Sequence, residues 1–155
     1  MNGFIPVKYN DQEMKNFIVK SGTTIAQYDP ISIDASTSGF AIVATSSTTP
    51  AGIYIGKTSI TGDGTTDYGG FLIDPCVWFI ADNDEDGGAQ AVTHQGTYGS
   101  LTGTTGAVQL DTSTFDGGIH TATDEIKIIE YNPQGFDRDT DTSISLCCFS
   151  LHFFK

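Results

Sequence analysis

Asp82-Asn83-Asp84-Glu85-Asp86-Gly87 sets three carboxylates at alternate positions ahead of a glycine. A calcium loop of the D-x-D-x-D-G type begins this way, because alternating carboxylates converge on one hard cation and the glycine permits a sharp turn. Such a loop closes with a bidentate acid at its twelfth position, which is Thr93 here. With half the motif present and no flanking helices, Asp82, Asp84 and Asp86 are weak metal candidates, and a solvated acidic turn is the better account.

The other reactive residue types are scattered. His94, His120 and His152 lie far apart, and none has a second His or Cys at ligand spacing. His152, alternating with Ser150 and Phe154, reads as a hydrogen-bonded strand histidine. Serine, histidine and aspartate abound, but there is no G-x-S-x-G elbow and no strand–turn–helix to carry one. Carboxylates of the glycosidase kind fall in turn-like stretches, not on strands bordering a cleft. Gly62-Asp63-Gly64 is followed by no lysine, so it is no phosphate loop. Cys76, Cys147 and Cys148 all sit in apolar runs and read as buried reduced thiols. Neighbours on a strand point to opposite faces, so a Cys147–Cys148 bridge would be strained. Neither an enzyme nor a cofactor is expected.

The charge is unevenly placed. Residues 1–60 hold four basic and four acidic groups, whereas residues 61–155 hold three basic and fifteen acidic ones, so the net charge of -12 lies in the second part. No Lys or Arg occurs between Lys57 and Lys127. A neutral part joined to an acidic part suggests one surface that docks and another that stays in water. Nucleic acid is disfavoured as a partner, since phosphate tracking needs clustered cations and Arg138 is the sole arginine. An anionic membrane surface is disfavoured for the same reason. The N-terminal residues have no apolar export segment, and no apolar run approaches the roughly 18 residues of a membrane span.

What must position these groups is a set of strands. Threonine, glycine and aspartate, at 21, 18 and 15 residues, make a composition for strands and turns. Residues 1–16 read as an N-terminal arm, with Pro6 breaking a short apolar patch and a single helical turn within 11–16. Residues 17–155 read as one β domain, in which 62–120 form an inserted, loop-rich, outward lobe. Ile31-Ser32-Ile33-Asp34 alternates, so Ile31 and Ile33 are expected in the core and Ser32 and Asp34 in water. Thr49-Pro50-Ala51-Gly52 reads as a turn. Strands are expected at 17–20, 40–44, 53–57, 71–73 and 76–81, and the run Val77-Trp78-Phe79-Ile80 is apolar enough to be covered on both sides. Further strands are expected at 108–110, 126–131 and 144–154, the last in mid-sheet. Asp-Pro precedes a strand at Asp29-Pro30 and again at Asp74-Pro75, where a proline in first position would cost no ladder hydrogen bond. About nine short strands without a convincing helix predict an all-β fold, a small β-sandwich or barrel.

Residues 19–56, with VKSGTTIAQYDPISID, SGFAIVAT and TPAGIYIGKT, resemble the decoration (cement) proteins of tailed bacteriophage heads. Residues 124–154, with DEIKIIEYNPQG and a final apolar strand ending in SLHFF, are similar to the same proteins. The two stretches cover about half the chain, and the part around 62–120 has no counterpart there. The resemblance implies a β-tulip or barrel-like, non-enzymatic viral structural protein. It would be made in the bacterial host cytoplasm and sit on the capsid exterior of the virion. Its partners would be the major capsid protein and itself, as a dimer or trimer. It further implies that Phe4, Ile5, Pro6, Val7 and Tyr9 contact the shell, by adding a strand to a neighbour or by filling a shallow groove. The alternative for these five residues is packing on their own domain. The alternative function is a carbohydrate- or receptor-binding β-module of a phage tail or fibre, using Tyr54, Tyr68, Tyr98 or Phe115 as exposed aromatics.

Overall fold

The computed structural model describes residues 3–36, 39–46, 48–84, 92–115, 124–131, 133 and 144–154. Apart from three single 3-10 turns, their regular structure is all strand. In chain order the strands are β1 (Ile5–Lys8), β2 (Met14–Ile18), β3 (Thr24–Ile25), β4 (Pro30–Ile33), β5 (Ala41–Val43), β6 (Pro50–Tyr54), β7 (Ile60–Thr61), β8 (Asp67–Leu72), β9 (Trp78–Asp82), β10 (Tyr98–Gly99), β11 (Leu101–Thr102), β12 (Gln109–Leu110), β13 (Ile126–Tyr131) and β14 (Ile144–Phe149). The expected all-β class is the one observed.

Two five-stranded antiparallel sheets carry the fold, ordered β1-β9-β14-β13-β10 and β2-β8-β6-β4-β5. They pack over a core in which Ile53 and Leu72 of the second sheet meet Phe79, Cys147 and Phe149 of the first. The second sheet also curls on itself. Val19, just past β2, bridges Ala41 of β5, and the Lys20 N–H reaches the Ala41 carbonyl at 3.1 Å. Inside the curl lies a second core that includes Val19, Ile31, Ile33, Ala51 and Phe71. The molecule is thus a sandwich whose second layer closes into a small barrel.

Strands β6 and β8 serve both cores, which explains why neither face of β6 is wet. Ala51 and Ile53 would share a face in a regular strand. A bulge at Ala51–Gly52 sends Ala51 to the barrel core and Ile53 to the sandwich core. Gly52 has φ +154°, and a Cβ there would lie 2.1 Å from the Leu72 carbonyl oxygen, so only glycine fits between β6 and β8. The turn expected at 49–52 is therefore the start of a strand.

Three other expectations are corrected. Strand β4 is buried throughout, Ser32 included, because it lies between β5 and β6 under two packed faces. Its polar groups are satisfied locally. The Ser32 hydroxyl donates to the Thr49 carbonyl at 2.6 Å, and Asp34 accepts from Ser36 and pairs with Lys20 at 2.7 Å.

Residues 62–120 are not an inserted lobe as far as they are described. Strands β8 and β9 come from them, β9 lies between β1 and β14, and Val77, Phe79, Leu101, Leu110 and Phe115 all enter the sandwich core. These side chains are too apolar to project outward, and burying each large one contributes roughly 1.5–3 kcal/mol.

Residues 3–16 are not a free arm either. β1 pairs with β9, β2 pairs with β8, and Phe4 is fully buried, its ring stacked on Phe79 at 4.8 Å and 9°. The expected helical turn is present as the 3-10 turn Asp11–Glu13, capped by the Asn10 side chain.

Candidate functional site

Register across the first sheet assembles residues far apart in the chain. Lys8 stands opposite Trp78, Trp78 opposite Cys148, Cys148 opposite Lys127, and Lys127 opposite Tyr98. Directly opposed residues of antiparallel strands share a face. One row therefore crosses all five strands on the side away from Phe79 and Cys147. At each end a lysine lies over an aromatic ring: Lys8 Nζ is 4.4 Å from the Trp78 ring centre and Lys127 Nζ is 5.3 Å from that of Tyr98. Both distances are within cation–π range. Among the described residues neither ammonium has a carboxylate partner, although the chain holds 19 acids. A neighbouring row on the same face runs Ile5, Ile80, Leu146 and Glu130.

The five expected contact residues divide around this face. Phe4 is core, and Pro6, opposite the core residue Phe79, is half-buried. Ile5 belongs to the outer face and is half-buried. Val7 and Tyr9 are open to solvent, at 39% and 45% exposure, beside Trp78 at 36%. β1 is an outer strand of its sheet but a poor template for strand addition. It carries Pro6, a register shift between Pro6 and Lys8, and Lys8 itself, all features that blunt a free edge. Contact through side chains fits this edge better than an added strand.

The row could not be read from spacing, because it depends on pairing register. One signal was available. Lys127 is the sole cation between Lys57 and Arg138, and it alternates with Ile126 and Ile128 on a strand whose other face must be core.

Two of the three acidic candidates, Asp82 and Asp84, are among the described residues. Asp82 lies buried at the end of β9. Asp84 accepts the N–H and hydroxyl of Thr112 at 2.9 and 2.8 Å, fixing a turn. Asp86 and His120 lie outside the described residues. Among the described residues no three His, Cys, Asp or Glu side chains are grouped to hold a metal ion. Of the four aromatics proposed for a glycan site, Tyr54 and Phe115 are buried, the Tyr54 hydroxyl donating to the Thr58 carbonyl at 2.8 Å. Tyr68 and Tyr98 are half-buried, Tyr98 under Lys127. Of the three thiols expected to be buried, Cys147 is, and Cys148 is half-buried. Cys147 is buried, and burial, with Cys148 beside it, raises its pKa well above the ordinary value, so it is inert. Cys76, in the turn after Asp74, is exposed.

Two further features stand apart from the row. A groove of about 420 Å³, lined by Ser32, Asp34, Thr48, Thr49 and the half-exposed ring of Phe153, opens on the second sheet. Glu125, next to β13, is only 2% exposed, and its Oε2 has no hydrogen-bond partner. Burial pushes its pKa up to about 7 from 4.5, against opposing hydrogen bonds from its own backbone, Ser100 and Leu101, and with a further rise from Asp124. Spacing gave no sign of it, since a lone glutamate before an apolar strand usually faces water.

No helix among the described residues is long and apolar enough to cross a membrane. No family model, curated protein or solved structure matches the chain.

Proposed function

We propose that this chain is a capsid decoration protein of a tailed bacteriophage, binding the major capsid protein on the outside of the icosahedral head and reinforcing the shell. Its contact surface is the outer face of the first sheet, together with Val7 and Tyr9. The observation that carries this reading is the row from Lys8 to Tyr98. An exposed tryptophan and two lysines that have no carboxylate partner among the described residues lie on one face of a five-stranded sheet. The sequence resemblance supplies the kind of partner. A symmetric shell repeats its sites, so a closed homo-oligomer would engage several at once and gain avidity. Adding purified protein to undecorated heads tests this. Saturable, stoichiometric binding with a higher temperature of shell disruption is expected, and binding without that gain would contradict a reinforcing role.

A carbohydrate- or receptor-binding module is the second reading. Phe153, half-exposed beside hydroxyl-bearing Ser32, Thr48 and Thr49, is the observation that favours it. Glycan binding abolished by Phe153→Ala, with no affinity for heads, would select it.

A further inference from the structure

We infer that the outer face of the first sheet receives a protein surface bearing two carboxylates about 14 Å apart across an apolar ridge; the inference rests on the proposal that this face is the docking face. The spacing follows from the sheet. Lys8 on β1 and Lys127 on β13 are separated by β9 and β14, three strand-to-strand steps of about 4.8 Å each. Between them lie Trp78 and Cys148, with Leu146 half-buried beside them, so the accessible ground between the two cations is apolar, while Ile80 in the row of Leu146 is fully buried and offers no contact. The chemistry follows from the charge. In a chain of net charge -12, these two ammonium groups have no carboxylate among the described residues, and each is held instead over a ring. The ring fixes the ammonium in place while leaving its other side open to an anion. A bare polyanion fits poorly, because two lysines amid so many acids would meet net repulsion along its length. Two carboxylates on an otherwise apolar protein surface need only local attraction, since the chain's more distant acids are screened beyond about 8–10 Å at physiological salt. On an extended partner strand the match is two acids four residues apart, which spans about 14 Å on one face.

Trp78 is the only tryptophan of the chain and sits in this row, so its fluorescence reports on the face directly. The probe is a synthetic extended peptide with two glutamates four residues apart and apolar residues between them, titrated into the full-length protein. The control peptide has lysines in place of the glutamates. Expected is a saturable change in Trp78 emission below about 1 mM of the glutamate peptide, weakened about tenfold or more by Lys8→Gln with Lys127→Gln and also weakened by added salt. Both substitutions lie on the outer face, and an unchanged melting temperature checks that the variant is folded. No saturable change, an equal response to the lysine peptide, or an unaltered response in the double variant would overturn the inference. Tighter binding of duplex DNA would overturn it too, by assigning the face to phosphate. A protein that binds the peptide but not heads keeps this inference and loses the capsid; one that binds heads with Lys8 and Lys127 dispensable does the reverse.

Discussion

Both oxygens of the Asp29 carboxylate accept the backbone N–H of Gly106, at 2.8 and 3.1 Å, across 77 residues of chain. The same carboxylate takes the Ala26 N–H at 2.8 Å. Asp29 so ties the loop between β11 and β12 to the barrel, and that hairpin delivers Leu101 and Leu110 to the sandwich core. Its echo in the sequence, Asp74, does likewise, accepting the N–H of Asn10 at 2.7 Å and of Cys76 at 2.8 Å. Pro30 opens β4 as expected, but Pro75 precedes the start of β9 at Trp78, so the aspartate clamp is what the two Asp-Pro pairs share.

Replacing Asp29 with alanine strands two backbone donors. Asp29→Ala is expected to lower the unfolding free energy by about 2–4 kcal/mol, and Asp29→Asn, which keeps one acceptor oxygen and no charge, by about half as much. Urea unfolding of the two variants checks this, and equal losses would mean that the charge rather than the acceptor matters.

Phe4 and its neighbours should separate cleanly. Phe4→Ala removes a fully buried ring from the sandwich core and should cost about 3–5 kcal/mol. Val7→Ala and Tyr9→Ala, at exposed positions, should stay within about 0.5 kcal/mol of the parent. Thermal melts of the three variants make the comparison, and a harmless Phe4→Ala would restore the free arm.

Glu125 gives the molecule a pH dependence of definite sign. Its folded pKa is raised, by burial first, so between about 4.5 and about 7 the folded state holds a proton that the unfolded state has lost. Stability from this group therefore falls as pH rises through that window and is flat above it, by roughly 1–3 kcal/mol once solvent screening is allowed for. Glu125→Gln should match the parent near pH 4.5 and exceed it near pH 8, as the difference in melting temperature will show. A constant difference across the range would place the titration elsewhere.

Much of the fold was legible because hydrophobic pattern alone decides it. Strand β13 spans Ile126–Tyr131 as expected, and β14 lies in mid-sheet between β9 and β13 as its apolar run predicts, with Cys147 and Phe149 in the sandwich core. The burial of Ser32 and Asp34 was not legible, because alternation predicts two faces but not that a curled sheet covers both. Nor was the strand at Pro50–Tyr54, where proline and glycine imitate a turn while serving a strand start and a bulge. The row across the first sheet lay furthest from view. Lys8, Trp78, Cys148, Lys127 and Tyr98 come from five strands, and local sequence carries no record of the register that aligns them.

Co-sedimentation with undecorated heads tests the central claim most directly, comparing the parent with a variant carrying Lys8→Ala, Trp78→Ala and Lys127→Ala whose melting curve shows it folded. The parent should saturate the shell at a fixed ratio, and the variant should bind at least about tenfold more weakly, since tryptophan is among the side chains whose truncation costs most at such contacts and the two charges are lost with it. Equal binding by the two proteins, or no binding by the parent, would contradict a capsid contact through this face.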